Sequence, residues 1–251
     1  MSQRYYFISD VHLGGVPSAE DKLREKRLLA VLDTVEREAR SGDAKGLFIV
    51  GDLFDSWFEF RSVVPRRHIR TLAKLGTIAE LIPVDYIMGN HDFGHRDFFE
   101  HELNIPVHAG DIERTLLGKH FYISHGDGKA LNDKGYLMLR KVLRNRAALR
   151  IYSLLHPDIG IPLAEWVSSG SRGYTDQRTA LQKQDGLRIF AEDMLKIGKC
   201  DYVVMGHRHM PEIHEVIRPE GPPGRYINLG DWIKNNTYGV FDEEGFRLVN
   251  A

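Results

Sequence analysis

The chain has 251 residues, of which 42% are hydrophobic and 27% charged, and its net charge is −1 at pH 7. The near-zero charge gives no general case for nucleic-acid binding, and the single cysteine excludes an intramolecular disulfide and a cysteine metal site. No apolar run approaches the ~20 residues that a membrane-spanning helix needs. Because residues 1–4 lead directly into a predicted strand, we expect no signal peptide.

The first part of the chain alternates strands and helices. Apolar runs predict strands at Tyr5–Ser9, Leu47–Val50 and Val84–Met88. Between them, apolar residues at helical spacing predict helices at Lys22–Arg40 and Pro65–Leu81, the second beginning on its proline. This alternation favours an α/β fold with neighbouring strands in one sheet.

A short helix predicted at Asp97–Leu103 precedes a region of short, hairpin-like strands. Together with the earlier alternation, these strands predict a mixed α/β sandwich with two sheets. The predicted strands are Pro106–His108, Ile112–Leu116, His120–Ser124, Tyr202–Met205, Glu212–Ile217, Tyr226–Leu229, Thr237–Phe241 and Phe246–Val249.

Five short motifs rich in Asp, Asn and His follow predicted strands. Side chains at successive strand ends converge in space, so the motifs predict one shared site although they lie far apart in sequence. Each motif alone is weak, since a lone Asp at such a position is commonly a helix cap. The motifs are Asp10-Val11-His12, Gly51-Asp52-Leu53-Phe54-Asp55, Gly89-Asn90-His91-Asp92, Ser124-His125-Gly126-Asp127 and Gly206-His207-Arg208-His209.

Imidazoles and carboxylates in this number are typical of a site for two divalent ions. Two ions about 3.5–4 Å apart share a bridging carboxylate and a water, and clamp both ends of an in-line displacement at phosphorus. Asp52 is our candidate for the bridge. The mixed nitrogen and oxygen donors suit Mn, Fe, Co, Ni or Zn better than Mg. The motifs therefore predict metal-assisted phosphoester hydrolysis.

The domain organisation follows from the span of the motifs. They run from residue 10 to residue 209, so a domain boundary between them would divide the site. We therefore expect a single domain over residues 1–251, with an insertion at residues 128–175 between the fourth and fifth motifs.

The ordered set D-x-H, G-D-x-x-D, G-N-H-D, H-G-D and G-H-x-H resembles the calcineurin-like metallophosphoesterase superfamily. This resemblance implies a four-layer α/β/β/α sandwich. It implies that His91, paired with Asp92, contacts the phosphate or protonates the leaving oxygen, and that Asn90 helps to stabilise charge there. It further implies one ion held by Asp10, His12, Asp52 and His209 and a second held by Asp52, Asn90, His125 and His207.

The insertion at residues 128–175 has an unusual composition. It holds eight Lys and Arg against three Asp and Glu, a net charge of about +5, interleaved with Leu, Ile and Tyr. A break near Asn145 would bring its apolar residues onto one helix face. Two interpretations stay open. The insertion is either a cap that covers the substrate and touches acidic lipid surfaces, or a helical hairpin with a solvated charged face.

A closer resemblance is to the UDP-2,3-diacylglucosamine hydrolase family of lipid A biosynthesis. The segments Ile8–Gly14, Gly51–Trp57, Gly89–Phe93 and Asn132–Tyr136 carry it, although the best-known branch of that family has Arg in place of His91. The resemblance implies that the insertion is a helical lid over the acylated glucosamine. The residues it suggests for contact with the substrate head group are Asn90, His91, Asp133, Tyr136, Arg144 and Arg172.

The same resemblance implies a reaction and a location. Water would attack the α-phosphorus of UDP-2,3-diacylglucosamine and release UMP and 2,3-diacylglucosamine 1-phosphate. The cofactors would be two divalent ions, foremost Mn²⁺, with Fe or Zn as alternatives. The enzyme would be cytoplasmic and peripheral on the inner face of the cytoplasmic membrane, with no nucleic-acid partner.

Two other functions remain open at this stage. One is a phosphodiesterase or phosphatase that uses the same site on a soluble nucleotide or phosphoprotein. The other is a non-catalytic scaffold of the same fold, which the complete set of candidate ligands disfavours. The basic, apolar insertion favours the lipid substrate over a soluble one.

Overall fold

The computed structural model describes residues 3–15, 18–129, 141, 144–175 and 180–251, without the side chains of residues 18, 146, 169–175 and 180–185. In chain order its elements are β1 (Arg4–Ile8), α1 (Ser18–Ser41), β2 (Ala44–Val50), a 3₁₀ turn (Arg66–His68), α2 (Ile69–Ala79), β3 (Val84–Ile87), α3 (Phe98–Glu102), β4 (Val107–His108), β5 (Ile112–Leu116), β6 (Lys119–Ser124), α4 (Arg146–Tyr152), α5 (Pro157–Thr175), α6 (Ala180–Lys196), β7 (Tyr202–Met205), β8 (Glu212–Val216), β9 (Gly224–Asn228), β10 (Thr237–Asp242) and β11 (Gly245–Asn250).

The described strands form two sheets. The first has the order β11-β10-β1-β2-β3-β4, with β1 to β4 parallel and β10 and β11 added antiparallel. Ile8 lies opposite Ile49, and Val50 opposite Ile87. The first three parallel strands therefore end at one edge of the sheet.

The second sheet has the order β5-β6-β7-β9-β8, and its three central strands are parallel. Ser124 lies opposite Met205, and Met205 opposite Asn228. The carboxyl ends of β6, β7 and β9 are thus level with one another. Each sheet consequently presents a row of strand ends on which polar side chains can be placed.

The two sheets pack face to face through an aromatic core. The ring of Phe7 on β1 lies 4.8 Å from Phe48 in its own sheet and 6.0 Å from Phe121 in the other sheet. Val204 and Ile227 of the second sheet are fully buried in the same cluster. The continuous apolar runs of β2 and β7 fit this arrangement, because strands covered on both faces have no solvent-facing side.

Helices cover the outer faces. Leu28 and Leu32 of α1 and Leu72 of α2 pack on the first sheet, while Leu187 and Leu195 of α6 pack on the second. The order of layers is helix, sheet, sheet, helix. The four-layer α/β/β/α prediction is therefore confirmed.

The helix predicted at Pro65–Leu81 was wrong at its start. Residues 66–68 form a 3₁₀ turn and the α-helix begins only at Ile69. His68 has φ −112° and ψ 34°, outside the helical region, and its ring is buried against Phe54 at 5.8 Å. Tertiary packing of this imidazole overrides the helical spacing of the sequence.

The break predicted near Asn145 is confirmed. Asn145 is extended, with φ −67° and ψ 125°, and its side chain accepts hydrogen bonds from the backbone N–H groups of Ala147 and Ala148. It is the N-cap of α4. The earlier part of the insertion, residues 130–140, lies outside the described residues. In the parts of the chain that are described, no helix is both long and apolar enough to cross a membrane.

Candidate metal centre

The carboxyl ends of both sheets meet at one place. Asp10, Asp52 and Asn90 follow β1, β2 and β3 of the first sheet, and His125 and His207 follow β6 and β7 of the second. The ends of parallel strands are where α/β proteins place their ligand sites. The structure brings together all seven candidate ligands expected from the sequence, with His12 and His209 completing the set.

Four donor atoms form a first group. Asp10 Oδ1 lies 3.7 Å from Nε2 of His12 and 3.2 Å from Nε2 of His209. The two imidazole Nε2 atoms are 3.2 Å apart. Asp52 Oδ2 lies 3.7 Å from Nε2 of His12. These are the four residues expected to hold one ion.

A second group shares Asp52 with the first. Asp52 Oδ2 lies 3.3 Å from Nε2 of His125. Oδ1 of Asn90 lies 3.0 Å from that same nitrogen and 2.8 Å from Nδ1 of His207. A single carboxylate oxygen therefore faces both groups, which is the position expected for a bridging ligand.

The donors fit a pair of divalent ions. Ligand atoms about 2 Å from one ion lie roughly 3–4 Å from one another, and the distances above fall near this range. Oδ1 of Asp10 is buried and faces the imidazole nitrogens of His12 and His209 without a well-aligned hydrogen bond among the described residues, a costly state for a carboxylate oxygen. Imidazole, carboxylate and amide oxygen together suit transition metals.

Each carboxylate has one oxygen fixed by the protein. Asp10 Oδ2 accepts hydrogen bonds from the N–H of His207, at 2.8 Å, and from the hydroxyl of Ser9, at 2.5 Å. Asp52 Oδ1 accepts from the N–H of His91 at 2.9 Å. These bonds orient the carboxylates so that the other oxygen of each faces the imidazoles.

Five candidate ligands have a left-handed backbone. The φ angles are 51° for Asp10, 51° for His12, 53° for Asp52, 67° for His207 and 60° for His209. Such angles are uncommon outside glycine and cost about 1–3 kcal/mol each. Because the backbone strain is concentrated on these residues, it indicates a functional site in which the positions of the side chains are maintained at a cost in folding stability.

Two motif glycines allow the ligand loops to approach one another. A Cβ atom on Gly89 would overlap the carboxylate of Asp52, and one on Gly206 would overlap Ser9 and the carboxylate of Asp10. Any larger residue at either position would displace a candidate ligand. The glycines are therefore needed for close approach of backbone to carboxylate.

Three imidazoles are oriented through their second nitrogen. Nδ1 of His12 lies 3.4 Å from the carboxylate of Asp55, and Nδ1 of His209 lies 3.5 Å from that of Asp231. Nδ1 of His125 donates to the carbonyl of Val50 at 2.9 Å. Carboxylates and carbonyls behind ligand imidazoles fix the tautomer and ring orientation.

The orienting carboxylates were not assigned this role from the sequence. Asp55 is the second acid of the G-D-x-x-D motif, so the motif itself was the available signal. Asp231 lies just beyond the end of β9, and only that strand-end position could have suggested it. Arg24 was also missed; it is buried and donates to the carbonyl of His12 at 2.8 Å.

The buried charges shift one another's pKa. Burial alone would raise the pKa of Asp10, but the imidazoles of His209 and His12 hold it well below its usual value. Burial would lower the pKa of His12, but Asp10 and Asp55 raise it to about 10. Burial and the neighbouring His125 lower the pKa of His207 to about 4. The centre thus combines an ionised carboxylate with one imidazole whose pKa is raised and another whose pKa is lowered.

The expected pairing of His91 with Asp92 is not found among the described residues. Asp92 is fully buried, and it accepts hydrogen bonds from the N–H groups of Leu53 and Gly89, at 2.8 and 2.7 Å, and from the hydroxyl of Tyr86 at 2.5 Å. These contacts join the loops after β2 and β3. They account for Asp92 as a positioning residue, and its catalytic role stays a prediction.

Nδ1 of His91 has other partners. It donates to the carbonyl of Asp55 at 3.1 Å and lies 2.8 Å from the hydroxyl oxygen of Ser168. Since a carbonyl only accepts, Nδ1 carries a proton. Nε2 is then the ring nitrogen left for the substrate.

Of the candidates in the insertion, the structure places only Arg144. Its guanidinium donates to the carbonyl of Gly89 at 2.7 Å and to the carboxylate of Asp127 at 3.1 Å. Arg144 therefore lies at the edge of the metal centre, between the loops after β3 and β6. Asp133 and Tyr136 are outside the described residues, as is the side chain of Arg172.

Comparison with known proteins agrees with this geometry. The model of the family described as "Calcineurin-like phosphoesterase" matches residues 3–211. The chain belongs to that family. The chain is a metal-dependent hydrolase of this family, and the centre described above is its candidate metal site.

Several relatives match over nearly the whole chain. A UDP-2,3-diacylglucosamine hydrolase from Porphyromonas gingivalis is 33% identical, covering 96% of this chain and 95% of the relative. A protein of the same name from Pseudomonas putida is 30% identical, covering 96% of each. Among solved structures, the phosphoesterase Yfce of E. coli aligns with 98% of this chain and 92% of its own, at 17% identity and a TM-score of 0.47.

The pKa of His12 leads to a testable prediction for metal uptake. Because its pKa is raised to about 10, His12 holds a proton at pH 7 when no metal is bound, and a metal must displace that proton. We expect Mn²⁺ addition to the metal-free protein to release protons, and the affinity to rise as the pH increases from 6 to 9. Calorimetry in two buffers of different ionisation enthalpy measures the release. Uptake without proton release would contradict the assigned role of His12.

Proposed function

We propose that this chain hydrolyses the pyrophosphate of UDP-2,3-diacylglucosamine, giving UMP and 2,3-diacylglucosamine 1-phosphate in lipid A biosynthesis. The observation that carries the proposal is the end-to-end match to relatives of that name. All the candidate ligands are present and converge in space, which argues against a non-catalytic scaffold. An apolar insertion beside the centre suits a lipid substrate.

The proposed cofactors are two Mn²⁺ ions, with Fe or Zn as alternatives suited to the same donors. When bound, the ions supply a water of lowered pKa and positive charge beside the phosphoryl oxygens. The residues proposed to hold them are Asp10, His12, Asp52 and His209 for one ion and Asp52, Asn90, His125 and His207 for the other.

The protein's own groups position the reacting phosphate. His91 is fixed through Nδ1, which leaves its Nε2 to contact a phosphoryl oxygen, and Asn90 adds an amide dipole. Water attacks the α-phosphorus in line and loses a proton to solvent, and the 1-phosphate of the lipid product leaves with the electrons of the broken P–O bond. Because this leaving group is itself a phosphate, His91 serves mainly to bind charge.

A groove beside the centre suits an acyl chain. It is a shallow cleft, open to solvent, between the loop that follows β2 and helix α5. Phe54, Trp57 and Phe58 line one wall and Ile161 and Ala164 of the insertion line the other. Apolar walls with a few polar groups at one end are typical of sites for amphipathic ligands.

The outer surface of the insertion is apolar and suits a membrane. Leu154 is 84% exposed, Trp166 73% and Ile159 61%, and the insertion is basic. Exposed apolar side chains next to basic ones bind surfaces of acidic lipid. The proposed location is accordingly the inner face of the cytoplasmic membrane, where a lipid-linked substrate is reached without leaving the bilayer.

The substrate is tested with the purified protein and Mn²⁺. We expect release of UMP from UDP-2,3-diacylglucosamine at a rate far above that of bis-p-nitrophenyl phosphate, because only the lipid substrate fills the groove. Asp52→Ala should abolish both reactions, since Asp52 faces both donor groups. Turnover of the small diester alone would retain the metal centre and reject the lipid substrate in favour of a soluble nucleotide or phosphoprotein.

Membrane binding is tested by sedimentation with vesicles that contain phosphatidylglycerol. We expect the double variant Ile159→Ser, Trp166→Ser to bind at least about tenfold more weakly, because burying one large apolar side chain contributes about 1.5–3 kcal/mol. Ile217→Ser is the matched control, since Ile217 is 84% exposed but lies outside the insertion. Equal binding by the wild type and the double variant would exclude this surface.

A further inference from the structure

Ser168 of the insertion reaches the metal centre. It lies on α5, and its side chain is buried. Its hydroxyl oxygen is 2.8 Å from Nδ1 of His91, 2.6 Å from the carbonyl oxygen of Asp55 and 2.9 Å from the Asp55 carboxylate. A side chain of the insertion thus contacts two residues of the motifs, one of them the expected phosphate contact.

The face of α5 that carries Ser168 packs against the core of the protein, and we call α5 seated when these contacts are formed. Ile161, Ala164, Glu165 and Ser168 follow the i, i+3, i+4, i+7 spacing of one helical face. Ile161 and Ala164 line the groove, and Glu165 pairs with Arg67 at 3.1 Å. The hydroxyl of Ser168 therefore reaches His91 only when this face is seated.

One arrangement of protons accounts for all of these contacts. The Nδ1–H of His91 is shared between the hydroxyl oxygen of Ser168 and the carbonyl of Asp55, and the O–H of Ser168 donates to Asp55. Asp55 also lies behind His12, at 3.4 Å from its Nδ1. The serine therefore joins His91 to the carboxylate that orients a candidate metal ligand.

We propose that Ser168 is a positioning residue that couples seating of the lid helix to the orientation of His91. The proposal rests on the phosphate-binding role of His91 in the proposed function, but not on the identity of the lipid. When α5 lifts, His91 loses one of the two partners that hold its Nδ1. The orientation of His91 that suits phosphate binding therefore depends on the lid helix being seated.

The test distinguishes an effect on the orientation of His91, seen in kcat, from effects on substrate binding, seen in KM, and on folding, seen in the melting temperature. In Ser168→Ala, kcat should fall about 10–100-fold, the usual effect of losing a partner that orients a site residue, while KM changes less than about threefold. Ser168→Thr keeps the hydroxyl and should recover most of kcat. Ser153→Ala is the matched control, because its hydroxyl bonds within the insertion, to the carbonyl of Arg150 at 2.7 Å, and it should retain wild-type kcat.

Each outcome decides the proposal. Wild-type kcat in Ser168→Ala, or an equal loss in Ser168→Thr with an unchanged melting temperature, would overturn it. All variants are assayed on UDP-2,3-diacylglucosamine and on bis-p-nitrophenyl phosphate. Should the wild type hydrolyse only the diester, the lipid assignment fails, while the ratio of kcat between Ser168→Ala and wild type on the diester still decides the role of Ser168.

Discussion

One buried carboxylate connects the two halves of the sandwich. Oδ2 of Asp52 lies 3.7 Å from His12 of the first sheet and 3.3 Å from His125 of the second. The two sheets must hold a fixed relation for these distances to exist, and the aromatic core around Phe7 supplies it. Ionised carboxylates and imidazoles packed this closely are costly to bury unless cations lie among them. The fold around this centre is therefore matched to a function that requires metal.

Residues around the centre offset the backbone strain of the candidate ligands. The left-handed backbone of the five candidate ligands costs about 1–3 kcal/mol for each residue, and hydrogen bonds in the surrounding loops offset this cost. Asp92 joins the loops after β2 and β3 by accepting hydrogen bonds from the N–H groups of Leu53 and Gly89, and Arg24 donates to the backbone carbonyl of His12. Residues outside the set of candidate ligands thus fix the positions of the candidate ligands.

The motifs sufficed to predict the strand ends and the side chains that converge there, because a strand end followed by Asp or His is a local pattern. They did not reveal which acids stand behind the imidazoles. Asp55 was visible within its motif, but its contact with His12 depends on how two loops cross. The contact of Ser168 with His91 spans 77 residues and has no local signature. The late start of α2 likewise follows from burial of His68, a tertiary effect that helical spacing does not show.

The most direct measurement is electron paramagnetic resonance of the protein loaded with Mn²⁺. A carboxylate oxygen that faces both donor groups predicts two ions per chain close enough to share it, about 3.5–4 Å apart. The spectrum should therefore show an exchange-coupled Mn²⁺ pair, and Asp52→Ala should abolish the coupling. One ion per chain, or two ions with uncoupled six-line spectra, would contradict a centre bridged by Asp52.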